Sequence, residues 1–330
     1  MKYKLKYLST FVLTCFFLII LLNNLTIQLL VKVDKQLNDD NGVDLTENII
    51  FTETNSTRER MSFRELCAIE SAAKHNPQSK ILVFSIKATI HDSEIFKKHK
   101  NIKFKLINLN ETFNNTVLHE FWFKNKLSAA IYPIFRVSHL SDALRFLLIY
   151  KYGGVYSDLD TITIKDFSFI RKFNGFGTLE NPQFVQAGVL HFSKKHPFIL
   201  KCLNSFNKNY NGKVWAANGP LLIQKELAIY CNQTNFKHLL FNFNKSRNKC
   251  DVGIYPSEYF YPYPWNEYKA LFQKNATFMI KKFLNTFSVH FYGKMSGAEI
   301  LNENENSLFE YFASSNCPLS YSQYILNKKL

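Results

Sequence analysis

SHLSDALRFLLIYKYGGVYSDLDTITI, residues 138–164, is the stretch on which the fold turns. Ser141-Asp142 has the chemistry to open a helix that runs through Tyr152, and Gly153-Gly154 to close it, because glycine adopts the left-handed cap at little steric cost. Val155-Tyr156 then begins a strand whose far end presents Asp158 and Asp160. Side chains at i and i+2 of an extended strand point the same way, so the pair can aim two carboxylates at one place. Hard divalent cations such as Mn²⁺ or Mg²⁺ take oxygen ligands and bridge phosphates. An Asp-x-Asp pair alone is weak, since chance gives about 0.3 in a chain of this composition. Its setting adds weight: Asp142 and Arg145 three apart on the preceding helix, then a Gly-Gly turn, then the pair.

Reading outward toward the N-terminus, ILVFSIKA (81–88) and KFKLINL (103–109) are short apolar runs of β character, and FRELCAIESAAKH has helical spacing behind a Ser62/Glu65 capping box. Asn76-Pro77 stops that helix. Helix and buried strand alternate, which predicts an α/β domain with a mostly parallel sheet. Toward the C-terminus, YPSEYFYPYPW (255–265) is too rich in proline for a regular helix and reads as a loop or wall.

Residues 1–6 carry three lysines, and residues 7–31 contain no charged side chain. That length suits a membrane span. No small-residue cleavage pattern follows it, and the lysines favour a cytoplasmic N-terminus. The expectation is a type II signal-anchor at 7–31 with the remainder in a secretory lumen. Residues 32–60 are polar and acidic and read as a stem. Sequons at Asn55, Asn110, Asn114, Asn232, Asn244 and Asn275 are candidate glycosylation sites, although chance gives about four in so asparagine-rich a chain. Cys67, Cys202, Cys231, Cys250 and Cys317 follow the span; their odd number leaves at least one thiol outside internal pairs. Cys231–Cys250 is the first pair expected, because a local loop closes most readily.

The chain has 330 residues, 16% of them aromatic, which excludes a disordered protein. Its 41 Lys and Arg against 26 Asp and Glu give a net charge of +15. A lumenal location removes nucleic acid as the partner for that charge, leaving anionic small molecules and membrane.

LSDALRFLLIYKYGGVYSDLD resembles the signature of the Asp-x-Asp sugar transferases, specifically the α1,4-glycosyltransferase family. Further motifs of the family follow in order: CAIESAAKHNP (67–77), AGVLHF (187–192), HPFILKCLNSFNKNYNGKVWAANGP (196–220), the 255–265 run, HFYGK (290–294) and Cys317-Pro318. The resemblance implies a GT-A fold, with a Rossmann-like nucleotide-sugar half at 61–200 and an acceptor half at 201–330. It implies a Golgi membrane enzyme that transfers a hexose, galactose foremost, from UDP-galactose or another UDP-hexose to a galactose-ended glycolipid or glycan, with retention. Other implied outcomes are a UDP-GalNAc or UDP-GlcNAc donor, or an inactive glycan-binding relative.

By the family pattern Asp158, Asp160 and His290 would hold Mn²⁺ or Mg²⁺, and Asp158 would also reach the donor. Asp142 and Arg145 would bind donor-sugar hydroxyls, and Gln186 and Asn218 would orient the reacting groups. Plainer roles stand beside these: a helix ion pair for Asp142 and Arg145, a core position for His290, and core packing or sugar stacking for Trp215. The chain departs from the family at Ala187, Ala216 and Gly293, which bears on donor choice.

Overall fold

The computed structural model describes residues 48–87, 94–125, 135–178, 185–241, 250–299 and 304–329. The expected tail (1–6), membrane span (7–31), the stem up to residue 47 and the sequon at Asn244 lie outside the described residues. Among the described residues no helix is long and apolar enough to cross a membrane.

Among the described residues seven strands form the main sheet: β1 (Ile49–Glu53), β2 (Ile81–Ser85), β3 (Ile102–Leu106), β4 (Gly154–Ser157), β6 (Asn174–Thr178), β7 (Val185–Phe192) and β8 (Val252–Tyr255). Their order is β3-β2-β1-β4-β7-β6-β8. β3, β2, β1 and β4 are mutually parallel, β7 is antiparallel to both β4 and β6, and β8 is parallel to β6. The sheet is thus the mostly parallel, GT-A-like one expected. A separate antiparallel pair joins β5 (Thr161–Thr163) to β9 (Ser288–His290).

β1 corrects the stem expectation. Ile49–Glu53 is buried at all five positions and pairs with β2 on one side and β4 on the other. Ile49-Ile50-Phe51 is a short apolar run, but its polar flanks masked it; burial on both faces of the sheet made these residues a strand.

Both sheet faces are covered. Ile50, Leu82, Tyr156 and Leu190 pack beneath α2 (Arg136–Tyr152), α3 (Pro197–Asn209) and α4 (Pro220–Tyr230). Ile49, Phe51, Val83, Val155 and Val189 face α1 (Phe63–His75) and the rings of Tyr255, Tyr259 and Tyr261. The 255–265 run is therefore largely core wall, with Trp265 exposed. Two C-terminal helices, α5 (Leu308–Asn316) and α6 (Pro318–Lys329), lean on α1. Disulfides join Cys231 to Cys250, as expected, and Cys67 to Cys317; Cys202 is a buried thiol.

α1 has the expected boundaries, with the Ser62/Glu65 capping box formed in both directions. α2 starts earlier than expected, at Arg136, with no side-chain cap. Ser141 and Asp142 are thus interior, because the turn N-terminal to them also buries His139 and Leu140. Its end is as read. Gly153 has φ 69° and Gly154 φ 98°, and a Cβ on Gly154 would stand 2.4 Å from the carbonyl oxygen of Asn48. Only glycine lets β4 enter the sheet this tightly after a buried helix.

Candidate active site

β4 ends at Ser157, so Asp158 and Asp160 lie in the turn beyond it and not on an extended strand. Their convergence comes from the β5–β9 ladder. Thr161 pairs with His290, which brings the histidine beside the Asp-x-Asp turn, and the N–H of Phe291 donates to the Asp160 carbonyl at 2.8 Å. His290 Nε2 lies 3.2 Å from Asp160 Oδ1 and 3.7 Å from Asp158 Oδ2. The Tyr292 N–H reaches His290 Nδ1 at 3.1 Å, so the ring turns Nε2 toward the two carboxylates.

Each carboxylate is held by one oxygen. Asp158 Oδ1 accepts from Arg145 Nη2 at 3.0 Å and from the Tyr156 hydroxyl at 2.9 Å. Asp160 Oδ2 accepts from the Gly293 N–H at 2.6 Å. A Cβ at residue 293 would stand 3.1 Å from Asp160 Cβ, so glycine there gives the backbone donor close access. The other oxygens face inward with His290. Ligand atoms of Asp158, Asp160 and His290 lie within 4.8 Å of one another, and buried Asp160 Oδ1, apart from the approach of His290 Nε2, has no hydrogen-bond partner among the described residues. Two hard oxygens and an imidazole nitrogen at that spacing fit a divalent cation.

Electrostatics sorts the acids. Burial acts to raise Asp158, but Arg145, His290 and Tyr156 outweigh it and hold its carboxyl below the usual range. Burial also acts to depress His290, and Asp160 and Asp158 overcome it, so the ring binds its proton more tightly than a free histidine. For Asp142 burial prevails: despite Arg145 Nη2 at 3.4 Å, its carboxyl is pushed up to about 7.

The triad opens onto a cavity of about 1350 Å³. Asp142, Arg145, Gln186, Trp215 and Lys294 also line it. Arg145 bridges Asp142 and Asp158 and donates to the Ala187 carbonyl, so the helix ion pair and the site are one network. Trp215 is a rim residue and not core: it is 44% exposed, with the Lys294 ammonium 4.8 Å from its ring centre. Asn218 is placed differently from expectation. It is buried, and its amide is engaged with the backbone of Asn211, accepting at 3.0 Å and donating at 2.8 Å. It does not line the cavity, and that clamp, which shapes the turn before Gly219, is what its side chain does. Two residues escaped sequence reasoning. Tyr156 lies two positions before Asp158 and donates to it, a spacing that could have revealed it. Tyr261 sits among similar aromatics, and nothing in the sequence separates it from them.

The carboxylate–carboxylate–histidine cluster at the end of β4 falls within regions matched by two glycosyltransferase family models. Residues 62–177 match the family model described as the glycosyltransferase sugar-binding region containing the DXD motif, and residues 191–324 match the alpha 1,4-glycosyltransferase conserved region. The chain is a glycosyltransferase of the hexosyltransferase kind, and its relatives are the α1,4-glycosyltransferases. It is 28% identical over 286 residues to lactosylceramide 4-alpha-galactosyltransferase of Rattus norvegicus, covering 83% of this chain and 75% of that one. It is 25% identical over 292 residues to alpha-1,4-N-acetylglucosaminyltransferase of Homo sapiens, covering 84% and 80%. A galactosyltransferase crystallised with donor and acceptor sugar analogues overlaps 83% of this chain and 95% of its own at 14% identity and a TM-score of 0.41.

Proposed function

We propose that the protein transfers a hexose, galactose foremost, from a UDP-sugar in α1,4 linkage to a galactose-ended glycolipid or glycan, with retention of configuration. The observation that carries this reading is the convergence of Asp158, Asp160 and His290 on one cavity that Trp215 rims. Asp158, Asp160 and His290 would hold Mn²⁺ or Mg²⁺, which when bound supplies Lewis-acid stabilisation of the charge developing on the leaving diphosphate.

The chain's own groups do the rest. Arg145 fixes Asp158 and offsets its charge, so that the turn stays in place while an anionic donor enters. Asp142, at about 7, is able to donate to or accept from a sugar hydroxyl. Gln186, half-buried on β7, is the amide left to orient the sugar ring or the acceptor now that Asn218 is committed elsewhere. The bond from the anomeric carbon to the β-phosphate oxygen breaks as the acceptor hydroxyl attacks the same face. The hydroxyl proton passes to the departing phosphate oxygen, so no covalent protein nucleophile is required.

A single-pass Golgi setting with a lumenal catalytic domain belongs to the same proposal. The uncharged stretch 7–31 and two disulfides support it, since such bonds persist in oxidising compartments. The second reading is a UDP-GlcNAc or UDP-GalNAc donor, favoured by the likeness to the N-acetylglucosaminyltransferase.

The test is a panel of UDP-sugars with Mn²⁺ and a lactosylceramide-type acceptor, run on wild type and on Asp160→Asn. Consumption of UDP-galactose is the expected result. The substitution should lower turnover at least about 100-fold while leaving thermal unfolding close to wild type. Wild-type turnover by the variant would remove the ion assignment. Tight acceptor binding without turnover of any donor would point to an inactive glycan binder.

A further inference from the structure

Tyr261 is buried to 1% exposure, yet its hydroxyl has no hydrogen-bond partner among the described residues. A buried hydroxyl left in that condition is destabilising relative to a satisfied one, so phenylalanine would serve the core better unless a partner arrives. The surroundings say where it would arrive. A methyl group built on Gly188 would stand 2.9 Å from the Tyr261 hydroxyl, 2.9 Å from Asp158 Oδ2 and 3.0 Å from His290 Cδ2. The tyrosine ring centre is 5.3 Å from that of His290. The hydroxyl therefore faces the inward oxygen of Asp158 across a gap kept open by a glycine. Asp158 Oδ1, by contrast, already has Arg145 and Tyr156 as donors. At neutral pH a phenol retains its proton, and it is a donor for an oxygen acceptor.

We propose that Tyr261 is a positioning residue of the ion site, its hydroxyl reserved for an oxygen that arrives with the divalent cation: a water on the ion or an oxygen of the diphosphate. This rests on the ion assignment made above and goes beyond it by giving a role to a residue outside the triad. Hydrogen bonds from neighbouring groups to a metal's ligands commonly change its affinity by about 10- to 100-fold.

The experiment uses the full-length chain, wild type and Tyr261→Phe. Mn²⁺ binding is followed by the electron paramagnetic resonance signal of the free ion, without and with UDP, and thermal unfolding is recorded without metal. The variant should unfold at the wild-type temperature or above it in the absence of metal, since an unsatisfied hydroxyl has been removed. Its Mn²⁺ dissociation constant should rise about tenfold. Weakening with Mn²⁺ alone identifies the oxygen as water; weakening only of UDP binding in the presence of Mn²⁺ identifies the diphosphate. Unchanged affinity for both, or an ion-free variant that is clearly less stable than wild type, overturns the proposal. If wild type itself binds no Mn²⁺ with or without UDP, it is the ion assignment that has failed.

Discussion

Asp142 is a buried carboxylate that the fold biases toward its protonated form. It is buried against the turn at Gly219, where a Cβ would stand 2.6 Å from its Oδ1, and burial lifts it from an ordinary 3.8 to about 7. A group that binds its proton more tightly folded than unfolded stabilises the fold fully below the unfolded value, and the contribution fades as pH rises through the folded one. Stability should therefore fall through this group between about pH 4 and pH 7. In Asp142→Asn, which has no proton to lose, the slope of melting temperature against pH across that window should flatten; an unchanged slope would mean another group sets it. Site chemistry was unevenly legible. Asp158 and Asp160 stood at a spacing that carries meaning, and His290 in a motif that only the family resemblance singled out. Asn218 stood in one too, but its amide closes a turn, and no local pattern distinguishes an amide that clamps backbone from one that meets substrate.

At the scale of elements, α1 is the piece that holds the C-terminal region in place. Glu70, buried within it, accepts from the N–H groups of Leu319 and Ser320 at 3.0 and 2.8 Å and from the Ser320 hydroxyl at 2.7 Å, and so caps α6. A carboxylate against the exposed N–H groups at a helix start is favoured by both hydrogen bonding and the helix dipole. Replacing it by alanine leaves those donors buried without partners. Glu70→Ala should cost about 2–4 kcal/mol in chemical denaturation while turnover per folded molecule stays near wild type. The boundaries of α1 could be read because its start is a local capping box and its stop a local Asn-Pro. The early start of α2 could not: its first turn has no cap and depends on neighbours, notably His139, which hydrogen-bonds the Tyr210 hydroxyl and the carbonyls of Val214 and Trp215. β1 was overlooked because its apolar run, Ile49-Ile50-Phe51, is only three residues long and sits in a polar segment.

For the molecule as a whole, the net charge of +15 is carried by residues 61–330, because the N-terminal lysines and the acidic segment 32–60 cancel. A field of that sign should draw in an anionic donor, and it is screened over about 10 Å at 0.1 M salt. Raising ionic strength from about 0.05 to about 0.5 M should raise KM for the UDP-sugar severalfold with kcat little changed; a KM indifferent to salt would show that capture is purely local. The alternation of helix and strand revealed a parallel sheet but not the reversed β7, which enters between β4 and β6 and brings Gln186 and Gly188 to the site. One covalent feature frames all of this. Cys67 and Cys317 are 250 positions apart, and the triad, Arg145, Gln186 and Tyr261 all fall between them. The catalytic part of the chain is thus a closed circle from which β1 and α6 depart as two tails. A break at any one peptide bond within it turns the circle into a line without dividing the molecule. After such a break outside the smaller Cys231–Cys250 loop, both shores of the active site stay covalently joined until the Cys67–Cys317 link is reduced.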